Sequence, residues 1–161
     1  FRRSAWFDPV SLGPWDRDTV RVVDITSGCF LLVRRSLWDA LDGFDPSFFM
    51  YGEEAGLCLR AAQLGHTCLL CPEAEIIHYG GRSERVLADK TVRLFRAKAL
   101  LFNKHWRPAH AWLGVRLLSV AALVRMVGFR VLSFVNSAQV TKYYTWRNIW
   151  SRPHGWARQF G

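Results

Sequence analysis

Up to residue 77 the apolar positions of this chain come in short bursts closed by glycine or proline, whereas from residue 92 onward they recur at helical spacing over long stretches. Residues 20–25 and 29–33 are two such bursts, parted by Ser27-Gly28, and read as short buried strands. Ser36 is placed to cap a helix with Asp39 three residues on; Trp38 and Leu41 give it one apolar face, and Gly43 ends it. A second helix is predicted to start near Glu53, directly after Gly52, and to stop at Gly65, with Leu57, Ala61 and Leu64 on its core face. Residues 67–70 then read as a strand, Pro72 as a break, and residues 75–77 as an extended run ending at His78. Residues 1–19, with Pro9, Gly13 and Pro14 among polar residues, read as an entering loop.

Asp89 can cap a longer helix in which Val92, Phe95, Ala99, Phe102 and Trp106 alternate at spacings of three and four, the mark of an ordinary buried face. Pro108 divides it from a longer apolar segment, residues 109–135. A membrane-spanning helix needs about 20 largely uncharged residues, and Arg116, Arg125 and Arg130 interrupt this one. An in-plane or partly embedded helix is therefore expected. At about 100° per residue Arg116 and Arg125 fall on opposite sides, so no clean amphipathic face results, and packing on a missing part of a larger protein is the alternative.

Charge changes the picture further, because the formal net of +9 conceals a division. Residues 1–90 hold all 13 acids beside 10 Lys or Arg, a net of −3, whereas residues 91–161 hold the other 12 Lys or Arg and no acid. Five of the eight Trp (Trp106, Trp112, Trp146, Trp150 and Trp156) fall in the basic part. Aromatic rings among Arg and Lys suit a bilayer interface. They also suit nucleic acid, but the long apolar runs favour an anionic membrane and no nucleic acid. Four cysteines in an apolar chain of this length do not make a disulfide scaffold, and the amino end has no apolar core of a signal peptide, so a reduced, cytosolic setting is expected. With no first strand-helix unit of its own, the chain is expected to be a fragment of a larger protein. Alone it should be poorly soluble, since a truncated sheet exposes an edge.

Candidate chemistry concentrates between Gly43 and Ser83. Glu53-Glu54 stands at a predicted helix start, where the positive end of the peptide dipoles attracts carboxylates; in isolation such a pair is usually a solvated surface feature. His66, Cys68, Cys71 and His78 invite a zinc reading, but residues three apart on a strand point to opposite faces, so buried thiols are expected. Asp16-Arg17-Asp18 follows Gly13-Pro14-Trp15 rather than an apolar strand and reads as loop.

Taken in order, Gly43-Phe44-Asp45, Phe48-Phe49-Met50-Tyr51-Gly52-Glu53-Glu54, Leu57-Cys58-Leu59-Arg60 and His78-Tyr79-Gly80-Gly81-Arg82-Ser83 resemble the second half of the catalytic domain of family 2 glycosyltransferases. The closer likeness is to the bacterial rhamnosyltransferase-like branch that decorates cell-envelope polysaccharides. It covers residues 20–83 and runs more loosely to Trp106. The resemblance implies an α/β fold: residues 1–106 as the carboxyl-terminal part of a GT-A-like nucleotide-diphospho-sugar transferase domain, followed by residues 107–161 as a basic, aromatic-rich helical extension associated with membrane. It implies inverting transfer of a sugar, rhamnose being the one it points to, from a nucleoside diphosphate donor to a hydroxyl of a lipid-linked or polysaccharide acceptor. Glu54, with Glu53 before it, takes the position of the general base, and His78 that of a ligand to a divalent metal, Mg²⁺ or Mn²⁺, on the leaving diphosphate. Asp24, Gly28, Gly80, Gly81, Arg82 and Ser83 take positions at the donor or acceptor. Arg60 is expected to anchor its helix by ion pairing.

Two positions depart from the family pattern: Glu54 stands where Asp is usual, and Gly56 stands where a further Asp is usual. The expected location is the cytoplasmic face of a bacterial-type cell membrane, peripheral or partly embedded. The rival readings are a catalytically degenerate membrane- or glycan-binding remnant and, less favoured, a basic nucleic-acid-binding protein.

Overall fold

The computed structural model of the chain describes residues 15–79, 86–153 and 156. Strand β1 (Arg21–Val23) pairs antiparallel with β2 (Cys68–Leu70), Val22 facing Leu69. Between them lie α1 (Arg35–Ala40) and α2 (Glu53–Gln63); α3 (Leu87–His105), α4 (Pro108–Val135) and α5 (Val140–Trp150) follow. Of the expected α/β organisation the described residues show this much: they are mostly helical, with one small two-stranded antiparallel sheet.

Residues 29–33, expected to be a strand, form no ladder. Leu31 and Val33 turn inward onto Leu41, Leu57 and Ala61 while Leu32 is 95% exposed. The side chains alternate as in a strand, but no neighbouring strand among the described residues supplies the backbone hydrogen bonds that would make one. Residues 75–77 are likewise irregular.

The capping pair expected at Ser36 is not used. α1 begins two residues earlier, after Arg34, and Asp39 instead accepts from Arg35 Nε at 2.9 Å one turn away. The helix ends in two left-handed residues, Asp42 (φ 55°) and Gly43 (φ 65°), and the Gly43 N–H donates to the Trp38 carbonyl at 3.0 Å. A Cβ at Gly43 would lie 2.8 Å from Trp38 Cζ2, so ring and backbone both demand glycine there.

α2 starts and stops as predicted, after Gly52 and before Gly65. Leu57 and Ala61 are buried; Leu64, expected beside them, caps the helix and is 55% exposed. In α3, Phe95 and Ala99 are buried and Val92 and Phe102 pack beside them. Asp89 does not cap this helix, which follows Val86; it pairs instead with Arg152 at 2.7 Å.

Pro108 opens α4 at its first turn, where its missing N–H leaves no partner wanting. The helix runs unbroken for 28 residues, about 42 Å at 1.5 Å per residue. By length and composition it is long and apolar enough to cross a membrane. It forms a hairpin with α5. Arg125 lies over the Trp146 ring at 5.1 Å, and Lys142 lies over Phe129 at 5.5 Å. Partners rise along one helix as they fall along the other, so the two are antiparallel. Ala99, Val115, Ala122, Ile149 and Trp156 make the core between α3, α4 and α5. Gly114 lets α3 come close: a Cβ there would lie 2.8 Å from Phe102 Cδ2, in a ring stacked on Trp106 with centroids 4.2 Å apart.

Candidate functional site

The turn that follows α1 is tied down from two sides. Arg60, on α2, donates through Nη1 to the Leu41 carbonyl and through Nη2 to the Gly43 carbonyl at 2.6 Å. It anchors the loop as expected, but by clamping backbone rather than by an ion pair. Asp45 accepts from the Ser47 N–H at 2.9 Å and pairs with Lys104 on α3. Hydrogen bonds from Lys104 and Ser47 hold the Asp45 carboxyl far below the usual carboxylate range, against the opposing effect of burial.

Phe48 is the plug of this loop. Its buried ring lies against Gly52 and Gly56, where added Cβ atoms would come within 3.3 Å and 3.2 Å of it. Ala97 of α3 closes Gly52 from the other side, also at 3.3 Å. Two left-handed residues, Tyr51 (φ 70°) and Gly52 (φ 84°), then turn the chain into α2. Tyr51, with its Cβ, holds that conformation at an expense of roughly 1 kcal/mol.

Glu53 and Glu54 occupy the first turn of α2, as the sequence predicts. Both are half-buried, and one oxygen of Glu53, Oε2, is buried without a hydrogen-bond partner. Gly28 is brought against Glu54: a Cβ on Gly28 would lie 3.2 Å from Glu54 Cβ and 3.6 Å from its carboxyl carbon. The missing side chain at 28 therefore leaves room for the Glu54 carboxylate beside the backbone of residues 27–29. His78 is exposed, and among the described residues no hydrogen bond or ion pair joins it to either glutamate. Gly80, Gly81, Arg82 and Ser83 lie outside the described residues.

Asp24 is drawn elsewhere. It lines a cavity of about 410 Å³ between β1, α2 and α3, whose walls include Val22, Cys58, Cys68, Phe102 and Trp106 but neither glutamate. Burial, the neighbouring Cys58 and the Asp24 charge push the Cys68 thiol up to about 11. Among the described residues no group of three or more His, Cys, Asp or Glu is placed to hold a metal ion. His78 offers a single imidazole, so the described residues do not by themselves fit the metal that the resemblance implies.

A carboxylate presented at a helix start, beside a glycine and on a braced loop, can accept a proton from a hydroxyl brought to it. The contacts that brace it, Gly28 on Glu54 and Lys104 on Asp45, join distant segments and carry no local sequence signal.

Partial homology places the chain alongside glycosyltransferases. It is 34% identical over 93 residues, covering 53% of this chain, to the Rhamnosyltransferase WbbL of Escherichia coli (strain K12). Over 63 residues it is 40% identical to the N-acetylglucosaminyl-diphospho-decaprenol L-rhamnosyltransferase of Mycobacterium tuberculosis. The chain spans 35% and 20% of the lengths of these two relatives. No protein-family model and no solved structure matches it.

Proposed function

We propose that the protein to which this chain belongs transfers a sugar, rhamnose first among the candidates, from a nucleoside diphosphate donor to a hydroxyl of a lipid-linked or cell-envelope glycan. Glu54 is the general base. The observation that carries this reading is the Glu54 carboxylate, set in the first turn of α2 and lodged against Gly28, in a chain partly homologous to rhamnosyltransferases. Attack by the acceptor oxygen on the anomeric carbon from the face opposite the leaving diphosphate gives inversion, and Glu54 takes the hydroxyl proton as that bond forms. Glu53 flanks it. Gly28 shapes the acceptor side, and Asp24, turned into the cavity, is left a structural role.

A divalent metal, Mg²⁺ or Mn²⁺, belongs to this reading only through residues beyond those described, with His78 as one ligand to be tested. The acid-free stretch after Asp89 suits an anionic membrane surface, where a lipid-linked acceptor is concentrated, on the cytoplasmic face.

The test is release of nucleoside diphosphate and formation of glycosylated product by the full-length protein. Glu54→Gln is expected to lower turnover by about 10²-fold or more, and Glu54→Asp to retain part of it. His78→Ala should raise the metal concentration needed if His78 is a ligand. A degenerate, binding-only protein is the second reading, favoured by the Phe48 ring standing over Gly56 where a carboxylate is usual in the family. Donor binding without product above the Glu54→Gln level would select it.

A further inference from the structure

α4 has two apolar faces. Ala111, Gly114, Val115 and Ala122 are buried, and at 100° per residue they fall within about 50° of one direction. On the opposite side Leu117, Val120, Val124, Val127, Val131 and Phe134 recur at spacings of three and four, each at least 50% exposed. This second stripe is about 26 Å long. Arg130 stands about 90° to one side of the stripe's centre, Arg116 lies along that same edge in line with Phe134, and Arg125 is about 130° to the other side, turned toward α5. Each guanidinium is braced on a ring: Arg116 on Trp112 at 5.2 Å, Arg130 on Phe134 at 4.7 Å, Arg125 on Trp146 at 5.1 Å. No acid occurs on α4 or anywhere after Asp89.

The geometry points to this face of α4 as the part of the protein that lies in the plane of an anionic bilayer, with the aliphatic stripe at the acyl boundary and the arginines at the phosphate level. The inference deepens the membrane part of the reading above and rests on it, but it does not depend on the transferase chemistry. Three observations choose this occupant. The charges around the stripe are of one sign, so two copies meeting face to face would set arginine against arginine with no acid between, whereas anionic headgroups complement the edge that Arg116 and Arg130 form. The other face of α4 is buried on α3 and α5, so turning α4 across the bilayer would carry Arg96, Lys98, Lys142 and Arg147 of those helices into hydrocarbon. Nucleic acid would engage the arginines and leave the six exposed aliphatic and aromatic side chains unused.

The test is partition of the full-length protein onto vesicles of phosphatidylcholine with about one third phosphatidylglycerol, beside pure phosphatidylcholine. The protein is expected on the anionic vesicles. Changing Val120, Val124 and Val127 together to Asp should lower partition by about tenfold or more with the thermal midpoint unchanged. Since a triple change can disturb folding, a second measurement places an environment-sensitive dye at Val124→Cys in a Cys29→Ser, Cys71→Ser background. Its emission should shift to the blue and become shielded from an aqueous quencher on anionic vesicles, while the same dye at Gln63→Cys on α2 should stay wet. Unchanged partition of the triple variant together with a wet dye at 124 overturns the proposal. So does vesicle-independent dimerisation that the triple variant abolishes, or binding to DNA with none to vesicles. Glu54→Gln is expected to leave partition unchanged, so loss of sugar transfer and loss of the membrane face are read separately.

Discussion

Glu54 and Gly28 come from different segments, and their contact gives each a reason to be what it is. A Cβ on Gly28 would meet Glu54 Cβ at 3.2 Å and stand 3.6 Å from its carboxyl carbon, so a larger side chain there would run along the whole Glu54 side chain. Gly28→Val should therefore push Glu54 aside without unfolding the chain, and the sugar transfer proposed for the full-length protein should fall by about tenfold or more in turnover with donor affinity little changed, as steady-state kinetics and donor titration would show. Gly56 answers to packing rather than to chemistry. Its missing Cβ would lie 3.2 Å from the Phe48 ring, so Gly56→Asp, which would introduce the acid usual in the family that the sequence resembles, should bury an unpaired carboxylate. A loss of about 2–4 kcal/mol in urea unfolding is expected, and unchanged stability would refute the plug.

At the scale of elements, α2 is fixed at its start by the braced loop and in its last turn by Arg60. That guanidinium supplies donors to two carbonyls of the α1 turn, so Arg60→Met should leave both unsatisfied and destabilise by about 2–3 kcal/mol. Lys in the same place reaches one carbonyl at a time and should fall between. The bounds of α2 were legible because Gly52, the acid pair and Gly65 are local signals. So was the end of α1 at Gly43 and the break at Pro108. Residues 29–33 misread for the opposite reason: alternating apolar side chains predict a strand, but a strand exists only when another chain segment takes its backbone hydrogen bonds. The capping pair at Ser36 misread because Arg35 competes for Asp39. Within the site, the acid pair at a helix start could be read from the sequence, whereas the Gly28 contact and the turning of Asp24 into the cavity depend on tertiary packing.

For the molecule as a whole, the acidic and basic parts meet at Asp45 and Lys104, and acid should reveal it. Asp45 is held below its ordinary range by Lys104 and Ser47. His105 is lowered by burial and by the Lys104 and Arg60 charges, with Asp45 opposing. Both groups bind fewer protons folded than unfolded, so their stabilisation is complete at neutral pH and is lost as pH falls, below 6.5 for His105 and below 3.8 for Asp45. Urea midpoints should decline in those two windows, and Lys104→Met should flatten the lower one; a midpoint flat from neutral pH down to 3 would refute both. The second apolar face of α4 was hidden in the sequence by its arginines, which looked like interruptions. On the folded helix Arg116 and Arg130 gather along one edge of that face, and Arg125 turns away toward α5.

α3 is a shared wall: one side meets the loop that presents Glu54, through Ala97 and Lys104, and another meets α4 at Gly114. Helices packed this closely stand about 8–10 Å apart. If α4 rests on a bilayer, the wall acts as a spacer of fixed height. On the transferase reading proposed above, a lipid-linked acceptor would then have to hold its hydroxyl above the bilayer by at least the height of that wall in order to meet Glu54.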